Sequence, residues 1–341
     1  MPAPAKPLNL ALQGGGSHGA FTWGVLDRLL EDGRVRFDGL CGTSAGAMNA
    51  VVCAYGHMRG GADGARAALE DFWRRVSEAA TLWSPVRAFG LAGPWAALAR
   101  SASYAAFDAF TRAVSPYQSN PLNVNPLREV LEAAVDFDAF HACRDMRVFV
   151  CATNVRSGKP RVFHNREMSA DAVLASACLP YLFQAVEIDG EAYWDGGYVG
   201  NPAIFPLIYE TETQDIMVVH INPLQVAEVP RTAADILDRV NEISFNSSLV
   251  REMRAIAFVQ KLIADDWLKD EYRDQLRSLR MHAIRADADL GPLGIETKLD
   301  PDWGHLLRLR DLGRARAAAW LAAHFGALGR RSTVDIRADY L

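Results

Sequence analysis

The pentapeptide Gly42-Thr43-Ser44-Ala45-Gly46 sets a serine among small residues, between the apolar run RFDGLC and the helix-like run AGAMNAVVCAYG. Strand, sharp turn and helix is the context in which a serine hydroxyl is lifted clear of a sheet edge. The N-terminus of the following helix then favours negative charge near the oxygen. A hydroxyl is a weak nucleophile, so it also needs a base for its proton and donors for the oxyanion its attack creates.

Donors are offered by LALQGGGSHGA, residues 10–20, where Gly14, Gly15 and Gly16 follow another short apolar strand. In a parallel sheet this loop lies at the same carboxyl edge as Ser44. Glycine N–H groups are unobstructed, and each donor aimed at an oxyanion is worth about 3–4 kcal/mol. The spacing Gly14-x-Gly16-x-x-Gly19 is also that of a dinucleotide loop. Asp38 follows at about the distance of a ribose-binding acid. Against that, Asp38 precedes the last residues of its strand, and a nucleotide leaves Ser44 and Asp195 without a role. A Walker-type loop is excluded because no Gly-Lys-Ser/Thr follows the glycines.

For the base, His220, His282, His305 and His324 lie downstream, none in a conspicuous loop. The common α/β-hydrolase pattern also puts several strands before its elbow, whereas Ser44 comes after two. Asp195 is the better candidate. YWDGGYVGNP sets it beside Gly196 and Gly197 after an apolar hairpin strand, although Asp-Gly alone reads as a hairpin turn.

Four motifs in order, Gly14-Gly15-Gly16-x-x-Gly19, Gly42-x-Ser44-x-Gly46, Ala175-Ser176-x-x-x-Pro180 and Asp195-Gly196-Gly197, together resemble the patatin-like phospholipase family over residues 8–225. The resemblance implies a three-layer α/β/α sandwich with a mostly parallel central sheet. It implies a Ser44–Asp195 dyad with no catalytic histidine, an oxyanion hole of the N–H groups of Gly14, Gly15 and Gly16, and turns at Gly42, Gly46, Gly196 and Gly197. The reaction implied is serine ester hydrolysis of phospholipids, lysophospholipids or related lipid esters through an acyl-serine, with no metal and no cofactor. Two departures concern substrate preference more than chemistry: His18 stands where many members carry Arg or Lys, and Gln13 where many carry Asp. A catalytically idle binding protein on the same fold, and a dinucleotide-dependent oxidoreductase, remain as alternatives.

The elements that must position these residues follow a strand–helix rhythm. NLALQ, RFDGLCGTS, MRVFVCATNV, RVFHN, DIMVVHINP and MHAIRA read as strands, the third as the sheet centre. VEIDGEAYWDGG reads as a hairpin with turns at Asp189-Gly190 and Asp195-Gly196. The helix from residue 20 ends at Gly33. Residues 1–7 form a loose leader, and residues 8–225 the catalytic domain, with a helical, aromatic-rich insertion at about 62–119. Within it Trp83, Phe89, Trp95 and Phe107 suit either a lipid-facing lid or ordinary core. Residues 226–341 read as a mainly helical extension with long amphipathic stretches.

Composition fits this outline. Of 341 residues, 50% are hydrophobic and 23% charged, enough for a large buried core, and the net charge is −5. No basic stripe with interleaved aromatics favours nucleic acid. The five scattered cysteines look like buried small hydrophobes in a reducing compartment. No signal peptide and no run of ~20 apolar residues is present, so the expectation is a cytoplasmic protein with peripheral membrane contact at most. A homo-oligomer is left open.

Overall fold

The computed structural model describes residues 4–83, 113–226, 228–269, 276–291 and 293–341. Half of the proposed insertion, including Phe89, Trp95 and Phe107, lies outside them, as does the side chain of Trp83.

The chain opens with β1 (Lys6–Leu12), α1 (Gly19–Asp32), β2 (Val35–Gly42) and α2 (Ala45–Trp83). Gly33 ends α1 in the left-handed region at φ 70°, its N–H bonded to the Leu29 carbonyl. α2 runs on past the small-residue helix expected from sequence but breaks at Gly60–Gly61, where both residues leave helical geometry. After α3 (Pro126–Ala134) come β3 (Arg147–Asn154), β4 (Pro160–His164), α4 (Ala170–Ser176), β5 (Val186–Ile188) and β6 (Glu191–Asp195). The remainder is α5 (Phe205–Glu210), β7 (Asp215–Val219), α6 (Ala233–Ala264), β8 (Arg280–Ile284), α7 (Trp303–His324) and α8 (Ile336–Tyr340).

The strands form one mixed sheet of eight, in the order β5-β6-β3-β2-β1-β7-β8, with β4 also on β3. β1, β2, β3, β7 and β8 are mutually parallel, while β4, β5 and β6 run antiparallel to their neighbours. β8, from the C-terminal region, pairs with β7 from Asp215↔Arg280 to Val219↔Ile284 and so belongs to the same sheet.

Strand alternation divides the interior into two layers. Leu8, Leu10 and Leu12 of β1, Val148, Val150 and Ala152 of β3, and Met217 and Val219 of β7 face α1, α2 and α7. Ala11, Phe149, Cys151, Ile216 and Val218 point the opposite way, onto Leu249, Met253 and Ile256 of α6 and Ile336 of α8. Each large apolar side chain buried this way contributes about 1.5–3 kcal/mol. The result is a sheet with helices on both faces.

α7 reaches the core by backbone approach. A side chain on Gly24 of α1 would overlap the Arg310 carbonyl, and one on Gly313 of α7 would overlap the Phe21 carbonyl. Two glycines thus let α1 and α7 lie closer than side chains permit. All five cysteines are free and buried. Among the described residues, no helix is long and apolar enough to cross a membrane.

Candidate active site

β3 has two edges, and their use builds the site. β4 pairs with Phe149 to Thr153 along one edge. On the other, β2 pairs with Arg147 to Val150 and β6 takes over at Ala152 to Asn154. β2 is parallel to β3 and β6 antiparallel, so their carboxyl ends meet head to head. Ser44 follows the end of β2, and Asp195 is the end of β6.

The turn at Ser44 is sharp. Its φ is +54°, a left-handed conformation that costs a non-glycine residue about 1–3 kcal/mol and is held by its surroundings. A Cβ on Gly42 would overlap the Gly46 carbonyl, and one on Gly46 would overlap the Leu12 carbonyl. Both small residues are therefore required by close approach. The Ser44 N–H donates to Ser176 Oγ at 2.9 Å, and that hydroxyl donates to the Cys151 carbonyl at 2.6 Å. Ser176, the last residue of α4, ties the elbow to β3.

Asp195 is 1% exposed. Its Oδ1 accepts from the Gly197 N–H at 2.7 Å, while Oδ2 has no hydrogen-bond partner. Burial pushes this carboxyl up to about 7, against the smaller downward pull of the Gly197 N–H and the Ser44 side chain. No hydrogen bond joins the Ser44 hydroxyl to the Asp195 carboxylate in this structure. The Asp195-Gly196 turn expected from sequence is instead a short 3-10 turn, Gly196–Tyr198, leading out of β6. The true hairpin turn is Asp189-Gly190, with φ of 52° and 78°, between β5 and β6. Gly196 and Gly197 still matter by size, because a Cβ would strike the Cys151 carbonyl in one case and the Phe245 ring in the other.

The glycine loop packs directly on the elbow: a Cβ on Gly14 would lie 2.7 Å from Ser44 Cβ. The three expected donors are not equivalent. The Gly14 N–H donates to Asn201 Oδ1 at 2.7 Å, which takes it out of the expected oxyanion hole. The N–H groups of Gly15 and Gly16 make no hydrogen bond among the described residues. Gln13, fully buried, organises the loop from beneath. Its Oε1 accepts from the N–H groups of Ile221 and Asn222, each at 3.0 Å, and its Nε2 donates to Asn246 Oδ1 and the Asn201 carbonyl. Asn222 Nδ2 donates to the Gly14 carbonyl at 2.7 Å.

A cavity of about 460 Å³ opens over these groups. Ser44, Asp195, Gly15 and Gly16 line it, together with the apolar side chains of Met48, Phe72, Trp73, Val76, Leu182, Phe183 and Phe245. No histidine lines it among the described residues. Asp38 is elsewhere, its carboxylate accepting from the N–H groups of Glu212 and Thr213 ahead of β7. That placement, with the Gly14 N–H engaged, speaks against a dinucleotide on this loop.

The family model for patatin-like phospholipase matches residues 10–208, more than half of the chain. The chain belongs to the patatin-like phospholipase family. Among solved structures, VipD from Legionella pneumophila is similar at a TM-score of 0.40 and 15% identity, over 91% of this chain and 67% of that one. A comparison with curated proteins finds no match.

Several residues around the patatin-like motifs escape a reading of the sequence alone. Asn201, Asn222 and Lys298 carry no motif and reach the loop only through the fold. Lys298 Nζ donates to Asn222 Oδ1 at 3.0 Å, and its carbonyl oxygen occupies the space a Cβ on Gly16 would need. His18, where many family members have Arg or Lys, is a neutral brace. The Thr297 hydroxyl donates to the Gly294 carbonyl at 2.7 Å, so the 2.8 Å contact between His18 Nε2 and Thr297 Oγ1 assigns the ring proton to Nε2. Burial first, and then the charge of Lys298, pull the His18 pKa down to about 3.

Proposed function

We propose that this protein is a serine acyl-ester hydrolase that releases fatty acids from phospholipids, lysophospholipids or related lipid esters, using Ser44 as nucleophile and Asp195 as its base. The observation that carries the reading is the head-to-head meeting of β2 and β6, which brings Ser44 and the buried Asp195 into one cavity beside the glycine loop.

Asp195 takes the Ser44 proton as the hydroxyl oxygen attacks the ester carbonyl. The N–H groups of Gly15 and Gly16, unengaged among the described residues, receive the oxyanion. Collapse of that intermediate expels the alcohol, which takes the proton from Asp195, and leaves an acyl-serine. Water then gives its proton to Asp195 and attacks the acyl carbonyl, and collapse of this second intermediate releases the fatty acid while Asp195 returns the proton to Ser44 Oγ. A carboxylate with pKa about 7 is suited to this work, because it is ionised in appreciable part yet basic enough to accept a proton at neutral pH. The apolar cavity wall accommodates an acyl chain.

Hydrolysis of short-chain p-nitrophenyl esters by the wild type, Ser44→Ala and Asp195→Asn tests the reading. Both variants are expected to lose at least about a thousandfold in kcat. Activity that survives Ser44→Ala overturns it.

A further inference from the structure

The described lining of the active-site cavity carries two charged side chains, Asp195 and Lys298. The first is taken up by the dyad, and the second belongs to no family motif and lies beyond the residues that the family model matches. Its position is fixed at both ends. Its main chain is wedged against Gly16, and its Nζ is hydrogen-bonded to Asn222 Oδ1, which lies 3.6 Å from where a Cβ on Gly15 would be. The amine is therefore held within two contact lengths of the loop that would receive the oxyanion.

Its surroundings are those of a cation kept for a ligand. No carboxylate lies within ion-pair distance of Nζ among the described residues, and Asn222 supplies one neutral acceptor for three donors. Burial draws its pKa down, and Glu242 and Asp238, across a second cleft that Lys298 also borders, act in the opposite direction. Arg239 holds Glu242 at 3.0 Å, so that carboxylate has its own cation. An ammonium partly removed from water without a contacting anion is unfavourable unless something supplies the counter-charge. His18 does not compete for an anion, because it is neutral.

We propose that Lys298 is a specificity-determining residue that holds a phosphate group carried next to the scissile ester, so that the cavity selects glycerophospholipid-type esters over neutral glycerides. A compact ammonium is a natural phosphate partner. In a glycerolipid the ester carbonyl and the phosphate are separated by the short glycerol backbone, a span comparable with the two contacts through Asn222 that separate the amine from Gly15. The proposal rests on the acyl-hydrolase reading for the place of the ester, and its test does not depend on hydrolysis.

Titration calorimetry on the wild-type protein with two inert ether lipids provides that test. One is an octyl ether of glycerophosphoglycerol, and the other the octyl glycerol ether that lacks the phosphate. The wild type should bind the phosphate-bearing ether at least tenfold more tightly. Lys298→Met should bring the two affinities within about twofold, and Lys298→Arg should keep most of the preference. Lys298→Gln, which retains a donor for Asn222, serves the same purpose where the methionine variant does not fold. A wild type without preference, or a preference intact after charge removal, overturns the proposal. Inorganic phosphate is the third titrant, and binding as tight as that of the lipid phosphate overturns it too, by showing a free-anion site. Failure of ester hydrolysis in the p-nitrophenyl assay contradicts the acyl-hydrolase reading without altering this comparison.

Discussion

The Ser44 N–H donates to Ser176 Oγ at 2.9 Å, so the backbone at the elbow is pinned by a second serine 132 residues away in sequence. Because the Ser176 hydroxyl is itself anchored on the Cys151 carbonyl, the left-handed turn is held from β3 and α4 together. Ser176→Ala leaves the Ser44 N–H and the Cys151 carbonyl without this partner, which costs about 1–3 kcal/mol. Urea unfolding should show a loss of that size. Ester kinetics should show kcat falling about tenfold with KM little changed. Wild-type kcat in a folded Ser176→Ala protein contradicts this role.

Asp195 links activity and stability in opposite directions. As the proposed base it works ionised, so kcat/KM should rise with pH through about 7 and then level off. For stability, a carboxyl whose folded pKa is raised above its unfolded value of 3.8 binds its proton more tightly when folded. Its contribution is favourable below the unfolded pKa and is lost as pH rises from about 4 to about 7, on the order of 4 kcal/mol in all. Asp195→Asn should therefore be inactive yet more stable than wild type at pH 8, with little gain at pH 4. Thermal denaturation at the two pH values reads this directly, and equal changes at both contradict it.

Asn201 holds the Gly14 N–H and so sets where Gly15 and Gly16 point. Asn201→Ala frees that N–H beneath the loop. The expected outcome is a fall in kcat of about ten- to a hundredfold, with the protein still folded, because a displaced oxyanion donor loses most of its worth. A variant with wild-type kcat and a normal far-ultraviolet spectrum shows that the loop needs no such support.

Gly313 tests the packing of the C-terminal helix. A methyl group there meets the Phe21 carbonyl, so Gly313→Ala must push α7 away from α1. Overpacking of this kind costs about 1–3 kcal/mol. The same substitution at Gly326, where nothing lies within 4 Å of an added Cβ, should change stability far less. Equal unfolding midpoints for the two variants contradict the close approach of α1 and α7.

The features legible in sequence were those decided locally. Leu8, Leu10 and Leu12 alternate toward one face, Gly33 ends α1, and small residues bracket Ser44, each for a reason contained in a few neighbouring residues. What escaped depends on distant partners. A run of glycines says that N–H groups are unobstructed but not where they point. Gly14 is turned away by Asn201, 187 residues on. His18 could not be placed without Thr297, 279 residues on, and Lys298 acquires its position through Asn222 and Gly16. Asp195-Gly196 has the composition of a hairpin turn, and only the pairing of β6 with β3 decides otherwise.

The most direct measurement is active-site labelling with an alkyl fluorophosphonate, followed by peptide mapping with mass spectrometry. The wild type should carry one adduct, on Ser44. The adduct should be absent from Ser44→Ala and form at least about a hundredfold more slowly in Asp195→Asn. An adduct on another residue, or labelling of Ser44 at an undiminished rate without the Asp195 carboxylate, contradicts the Ser44–Asp195 dyad.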